Sequence, residues 1–269
     1  MNKHKKNIDM LTTHDLITTD GYLSFCNENE ICYIKTDFFY TGQFIWRGNI
    51  HPRKLSDKIV VGHSDYSVVT SIAEKFNTIL CVNRETDKEN TFGLPLGLTN
   101  DCDDSPIHRI YGNKDIIIEV MNEEVEKKNL LYMNFNISNY PIERQFVFDL
   151  FKDFEGIKIG HIDNSLEGRR KFLKEIKSSK FVICPRGNGV DTHRLWETLY
   201  MGSIPIVKYE RTHHLFTDLP ILFIKDWNEI TEDFLNDKYL EIINKEWNLQ
   251  KLKMSYWNNF IKEKMISNE

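Results

Sequence analysis

The sequence predicts an α/β protein built on parallel sheets, and three observations carry that prediction. Apolar runs of strand length recur along the chain: Lys58 to Gly62, Thr78 to Val82, Leu130 to Phe135, Phe181 to Cys184 and Ile221 to Ile224. Each has the continuous apolar character of a strand buried on both faces. From residue 130 onward these runs alternate with helical patterns in the order β, α, β, α, β, α, β. Such alternation argues for a doubly wound sheet; a closed barrel would need more units. Finally, residues 178–208 condense the alternation into one compact strand, glycine-rich turn, short helix and second strand, which is a βαβ crossover.

Taken in order, residues 1–30 have weak periodicity and many polar residues, so little regular structure is expected there. Ile31 to Ile34 reads as an edge strand. The aromatic stretch Phe38, Phe39, Tyr40, Phe44 and Trp46 reads as core, with a platform for a sugar as the minority alternative. The strand Lys58 to Gly62 runs into His63, Ser64, Asp65 and Tyr66 before a helix from Ser67 to Phe76. Polar residues just past a strand's carboxyl end sit where open α/β sheets bind ligands. Asp65 is the first candidate for a general base there and His63 the second, while Ser64 or Asp65 could equally serve as a helix cap. Thr78 to Val82 is a further strand, and Phe92 to Leu98, FGLPLGL, has the Pro and Gly content of a structured turn beneath a cleft. Asp101, Asp103 and Asp104 spell an acidic cluster that reads as a solvated loop in preference to a metal site. Ile116 to Val120 is expected to be a strand, and the polar run Met121 to Asn129 to mark a lobe boundary. This divides the chain into residues 1–125 and 126–269.

In the second part, Leu130 to Phe135 opens a strand, Pro141 to Lys152 a helix with proline in its first turn, Gly156 to Ile162 a strand, and Leu166 to Lys177 an amphipathic helix. After the central βαβ unit, Tyr209 to Asp218 reads as a loop lining the cleft; His213 and His214, adjacent in sequence, cannot share a helical face and have no further ligand at zinc spacing. A helix begins within Asp226 to Phe234. The last stretch, Glu246 to Met265, reads as a helix returning to the first lobe.

The turn of the central unit carries the chemistry. Gly187 and Gly189 flank Asn188 and remove Cβ atoms where a ligand would approach backbone N–H groups, and Asp191 or Thr192 suits the helix cap. Arg186, His193 and Arg194 gather at the positive end of the helix dipole, a conflict that a bound anion would relieve. Arg194 and Glu197, three apart, share a stripe distinct from the sheet-facing Leu195, Thr198, Leu199 and Gly202. One reading is a diphosphate cradle with Glu197 accepting hydrogen bonds from sugar hydroxyls; the other is an ordinary turn with an Arg194–Glu197 surface pair.

The run FVICPRGNGVDTHRLWETLYMGSIPIV resembles the C-terminal donor-binding motif of exostosin-like glycosyltransferases. The resemblance implies two Rossmann-like lobes in the GT-B arrangement with a cleft between them. It implies that Arg186, Asp191, Thr192, Arg194 and Glu197 surround a nucleoside-diphosphate sugar, Glu197 matching the family glutamate that faces the ribose. Gly189 stands where many retaining enzymes of this architecture carry a second acid, which leans toward inversion. The expected activity is transfer of a hexosyl or pentosyl group to a glycan or other hydroxyl acceptor. No metal or other cofactor is expected, because helix N–H groups with Arg186 and Arg194 can stabilise the leaving diphosphate. Two alternatives stay open: a fucosyltransferase-like enzyme using a GDP-sugar, whose expected tyrosine and lysine are not matched in DTHRLWETLYMG, and a non-catalytic sugar-nucleotide-binding or glycan-binding module.

Composition fits this reading. The 269 residues are 41% hydrophobic and 28% charged with a formal charge of −5, which gives no electrostatic reason to expect a nucleic-acid partner. Cys26, Cys32, Cys81, Cys102 and Cys184 are spread without metal-ligand spacing and predict reduced thiols in a cytoplasm-like compartment. The N-terminal stretch lacks the apolar core of a signal peptide, and no transmembrane run is expected.

Overall fold

In the computed structural model of the chain, residues 11–35, 39–40, 43–44, 57–63, 65, 67–101 and 105–266 are described. They form two parallel sheets. The first takes the order β1 (Tyr33–Lys35), β4 (Lys58–Gly62), β5 (Thr78–Cys81), β6 (Thr91–Gly93). The second takes the order β11 (Leu222–Ile224), β10 (Ile204–Lys208), β9 (Ser179–Ile183), β7 (Asn129–Met133), β8 (Ile157–Ile159). Between β1 and β4 a two-stranded antiparallel ribbon pairs β2 (Phe39–Tyr40) with β3 (Gln43–Phe44). Counted within its lobe, the second sheet runs 5-4-3-1-2, the flavodoxin-like doubly wound order, whose winding reverses between β7 and β9. Register is set by apolar matching: Phe181 of β9 lies opposite Leu131 on one side and Ile204 on the other.

Strand alternation divides the core into three parts. On one face of the second sheet, Leu131, Met133, Phe181, Ile183, Ile204 and Ile206 meet α5 (Pro141–Phe151) through Val147 and Phe151, and α8 (Glu232–Asn244) through Leu235 and Ile242. On the outer face of the first sheet, Ile59, Val61, Ile79 and Cys81 meet Ile72 and Ala73 of the single-turn helix α2 (Thr70–Ala73). The inner faces of both sheets share the third and largest part. There Tyr33, Val60 and Leu80 of one lobe join Tyr132 and Val182 of the other. The helices α6 (Leu166–Lys177) and α7 (His193–Tyr200) lie in this shared layer. An edge-to-face series, Trp196 to Phe216 at 5.2 Å and Phe216 to Trp257 at 5.9 Å, links α7 to the terminal helix α9 (Met254–Ile266), which packs on α1 (Thr19–Glu28) and β5. Burying each such ring contributes on the order of 1.5–3 kcal/mol, so the lobes are fused through apolar surface as well as through the chain.

Four expectations are corrected. Residues 116–120 are helical: α4 (Lys114–Asn122) follows a short α3 (Pro106–Tyr111), and the Asn113 side chain accepts the Ile116 N–H at its start. Ile116, Ile117, Val120 and Met121 then bury one helical face, and the β-branched run is outvoted by its cap and spacing. The N-terminal stretch holds α1, whose Thr18 side chain accepts from Gly21 and whose inward face is Thr19, Tyr22 and Cys26. The helix expected over 67–76 shrinks to α2; its cap position is Val69, so Asp65 caps nothing. Finally, residues 91–93 form the edge strand β6 where only a turn was expected. The polar run 121–129 is pinned to the second lobe: the half-buried Lys127 ammonium donates to the Lys177 and Ser179 carbonyls and to Ser203 Oγ, and desolvation, with Lys177 nearby, brings its pKa down to about 7.

Candidate functional site

A cleft of about 960 Å³ opens where the second sheet's winding reverses. Loops leaving the carboxyl ends of β7 (Asn134 to Asn136) and β9 (Pro185 and Gly187 to Gly189) form one wall, as expected at a topological switch point. The first lobe supplies the facing wall through Asp20, His63, Asp65, Leu96 and Asn100.

The glycine turn is shaped by the protein's own groups. Gly187 N–H donates to Gly189 O at 3.0 Å and closes the turn. A Cβ on Gly189 would lie 2.6 Å from Asn83 Nδ2, and one on Gly187 would lie 3.1 Å from an Arg144 nitrogen. The missing side chains therefore admit Asn83 and Arg144, not directly a ligand. Asn83 is fully buried at φ 55°, just past β5, and its Oδ1 accepts the Asp191 N–H at 2.9 Å. Asp191 is buried too, and its carboxylate accepts from Leu96 N, Thr192 N and Trp196 Nε1. Burial pushes its pKa up to about 6 against these hydrogen bonds. Asp191 is thus a lobe-joining residue. Thr192 occupies the cap position of α7 without a capping bond from its side chain, so the first N–H groups of that helix are not closed off by a cap.

Arg194 and Glu197 are held more firmly than a surface pair. Glu197 Oε1 receives Arg169 Nη1 at 2.6 Å, and its Oε2 receives Arg194 Nε at 3.3 Å. Burial raises the Glu197 carboxyl's pKa, but the two guanidiniums outweigh it and hold the group below its ordinary value. Arg169 is completely buried, donates to the Tyr111 carbonyl, and lies 5.1 Å from that residue's ring. Arg194 also donates to the Asn134 carbonyl and stacks 4.3 Å over Phe172. Both Arg194 and Glu197 still line the cleft. A guanidinium has five donors and a carboxylate about four acceptor sites, so each retains capacity for a ligand.

Arg186 departs from expectation: its guanidinium stacks 4.6 Å over Tyr140, and it does not line the cleft. Arg144 stands there instead. Its Nε donates to the Arg186 carbonyl at 2.8 Å and its Nη1 to the Asn136 carbonyl at 2.7 Å, tying the β7 and β9 loops together. Burial, then Arg194, brings its pKa down to about 10. His193 Nδ1 donates to Gly97 O at 2.8 Å, and burial lowers its pKa, which favours the neutral ring. Gly97 itself is required: its φ is +71°, and a Cβ would sit 2.3 Å from the Ile17 carbonyl oxygen.

On the facing wall, His63 has φ 55° and both ring nitrogens engaged: Nδ1 with Tyr33 OH at 2.7 Å and Nε2 with Asp20 Oδ1 at 2.6 Å. Asp65 is exposed and accepts from Asn188 Nδ2 at 3.4 Å, across the cleft on the glycine turn. Ser64 and Tyr66, Asp103 and Asp104, and the side chains of the stretch from Phe38 to Trp46 lie outside the described residues. Among the described residues no group of three or more His, Cys, Asp or Glu is placed to hold a metal ion. His213 does not line the cleft: it is buried in the 3-10 turn Arg211–Phe216, its Nδ1 accepts from Glu210 N, and burial brings its pKa down to about 4. Cys26, Cys32, Cys81 and Cys184 are free and buried, and among the described residues no helix is long and apolar enough to cross a membrane. Asp20, Tyr33, Asn83, Arg144 and Arg169 were not singled out in the sequence. Of these, only Asp20 had a local signal, the Thr-Thr-Asp run of a helix start.

No curated protein sequence is recognisably similar to the chain. Solved structures with partial likeness include a crystal structure of an alpha1,3-fucosyltransferase at 16% identity and TM-score 0.43, covering 79% of this chain and 73% of that one. An alpha1,3-fucosyltransferase structure with GDP-fucose gives 15% identity and TM-score 0.43, covering 82% and 81%. The fold described above rests on strand order and not on these. The resemblance to exostosin-like glycosyltransferases falls in the segment from β9 to β10, and the glycine turn, α7 and the Arg169–Glu197–Arg194 cluster all lie within residues 161–268, which match the family model of the RXYLT1 C-terminal domain.

Proposed function

We propose that the chain is a glycosyltransferase that takes a nucleoside-diphosphate sugar in the second lobe and a hydroxyl acceptor, such as a glycan, from the first. The observation that carries this reading is the start of α7. Its first residues, Thr192, His193 and Arg194, line a two-walled cleft at the switch point of a doubly wound sheet, and no side-chain cap closes the helix start; an anion is electrostatically favoured at such a helix start. In this reading Arg194 and the α7 N–H groups hold the diphosphate, with Arg144 in the place first assigned to Arg186. Glu197, with its lone pairs aimed by two guanidiniums, accepts from the ribose hydroxyls. Asp191 and His193 shape the site from beneath. As the sugar leaves, the same donors stabilise charge developing on the diphosphate without a divalent cation, and the transfer inverts the anomeric centre. Transfer of a hexosyl or pentosyl unit is the expected chemistry.

The test is a thermal-shift and calorimetry panel of UDP-, GDP- and CMP-sugars with their free nucleotides. A ligand that binds only the folded state raises Tm. Arg194→Ala is expected to weaken the bound nucleotide by on the order of 1.5–3 kcal/mol, and Glu197→Gln to weaken free nucleotide and nucleotide-sugar alike. Absence of binding by every nucleotide in the panel would remove the reading. Binding without any nucleotide release would reduce the protein to a sugar-nucleotide-binding module.

A further inference from the structure

We infer that Asp20 is the group that accepts the proton of the attacking hydroxyl, and that His63 and Tyr33 are positioning residues that hold it; this rests on the glycosyltransferase reading above. The carboxylate is presented from the first turn of α1, where the helix dipole favours negative charge. Its backbone N–H donates to Asn100 Oδ1 at 3.0 Å, and Asn100 Nδ2 in turn donates to Thr19 Oγ1, so the turn is fixed from both sides. The side chain is 46% exposed and lines the cleft, whereas the His63 ring that grips it is only 7% exposed. A solvent-exposed carboxylate on a buried support is the arrangement expected of a group that must meet a substrate without drifting.

The support runs inward. His63 Nε2 donates to Asp20 Oδ1, His63 Nδ1 meets Tyr33 OH, and Tyr33 OH reaches the Thr19 carbonyl at 3.3 Å, closing a ring of contacts back to α1. Two backbone features make this ring fit. His63 adopts φ 55°, a conformation that L residues seldom adopt. Gly62 leaves room for the tyrosine, since a Cβ there would sit 1.9 Å from Tyr33 OH. Strain of this kind persists where surrounding contacts enforce it.

The other two candidates are placed less well. With both nitrogens bonded inside the protein, His63 has no lone pair to offer an acceptor. Asp65 faces Asn188 of the glycine turn, on the side of the leaving diphosphate, whereas an in-line attack brings the hydroxyl from the opposite side. In the step assigned here, the hydroxyl oxygen bonds to the anomeric carbon, the bond from that carbon to the β-phosphate oxygen breaks with its electron pair passing to the diphosphate, and the hydroxyl proton passes to an Asp20 carboxylate oxygen. Water can take the acceptor's part in the same step, giving free sugar.

The experiment measures nucleotide release from the UDP-, GDP- and CMP-sugar panel, with water as the attacking hydroxyl, alongside calorimetric affinity for UDP and GDP. Asp20→Asn is expected to lower kcat by about 10²- to 10⁴-fold with nucleotide Kd within threefold of wild type. Asp20→Glu keeps the carboxylate and is the check if the asparagine variant folds poorly; it should recover part of the rate. His63→Gln, whose amide can still donate to Asp20, should lose less kcat than His63→Ala, with the donor KM unchanged in both. Wild-type kcat in Asp20→Asn, or a larger loss in Asp65→Asn than in Asp20→Asn, overturns the assignment. A wild type that binds no nucleotide fails the underlying reading instead, and one that binds nucleotide but releases none overturns both.

Discussion

The two walls of the cleft are rigid for different reasons. On the second lobe, the site is locked by charge: Glu197 is bracketed by Arg169 and Arg194, and Arg144 is clasped by the carbonyls of two loops. On the first lobe, the site is locked by backbone: His63 and Asn83 stand just past β4 and β5, both with φ 55°, and both turn polar side chains into the space between the lobes. Charge locking needs residues from several helices to converge and is costly to break; backbone locking needs one unusual residue per strand. The lesson is that a binding wall and a reacting wall in one cleft need not share a strategy.

The largest effect should follow from unlocking the charged wall. Arg169→Ala leaves Glu197 buried with one guanidinium, and removing one member of a buried pair typically costs about 3–5 kcal/mol; urea unfolding should show that loss. A loss under about 1 kcal/mol would mean that Arg194 alone neutralises Glu197, and the contrast between the walls would weaken. Next comes Asp191, which joins the walls. Its folded pKa of about 6 stands above the ordinary 3.8, so the folded state binds its proton more tightly than the unfolded state does. Its contribution to stability is therefore full below the unfolded pKa and is lost as pH rises through about 6. About two pH units at ~1.4 kcal/mol each give ~3 kcal/mol. Stability measured from pH 4 to pH 6 should fall more steeply in wild type than in Asp191→Asn, and identical slopes would contradict the assignment.

On the backbone-locked wall, Asn83→Ala removes the acceptor for the Asp191 N–H, and a buried donor left unsatisfied costs about 1–3 kcal/mol. Nucleotide affinity should drop in the same variant, because the glycine turn loses its support. Outside both walls the exposed pair Arg211–Asp87, 2.7 Å apart, serves as the baseline. Asp87→Asn should change Tm by no more than a surface pair is worth, under about 1 kcal/mol.

The two lobes also differ in how much could be read from sequence. The second lobe's inner strands β9 and β10 are buried on both faces and its helix α6 is amphipathic, so Leu166–Lys177 was placed to the residue. The first lobe hid α1, because its inward face is Thr19, Tyr22 and Cys26, residues that carry little hydropathy contrast. It also disguised α4 behind the β-branched run Ile116, Ile117 and Ile118. In the site, the segment from Gly187 to Glu197 was legible because its residues are adjacent in the chain. Asn83, Arg144 and Arg169 reach it from other elements, and only folding brings them there. Arg186 was misplaced for the same reason: the ring of Tyr140 that captures it is remote in sequence.

Tyr200, at the inner end of α7, accepts from the Ile17 N–H and donates to the Leu252 carbonyl, both at 2.9 Å. Mechanically this is an anchor. The helix that carries the glycine turn at its outer tip is pinned at its base to segments from both ends of the chain. With eight residues the helix is about 12 Å long, and its outer end is held as well, by His193 on the Gly97 carbonyl and Arg194 on the Asn134 carbonyl. A rod fixed at both ends and buried along most of its length does not tilt alone, so any change in the gap where Asn188 meets Asp65 has to come from the loops and not from α7.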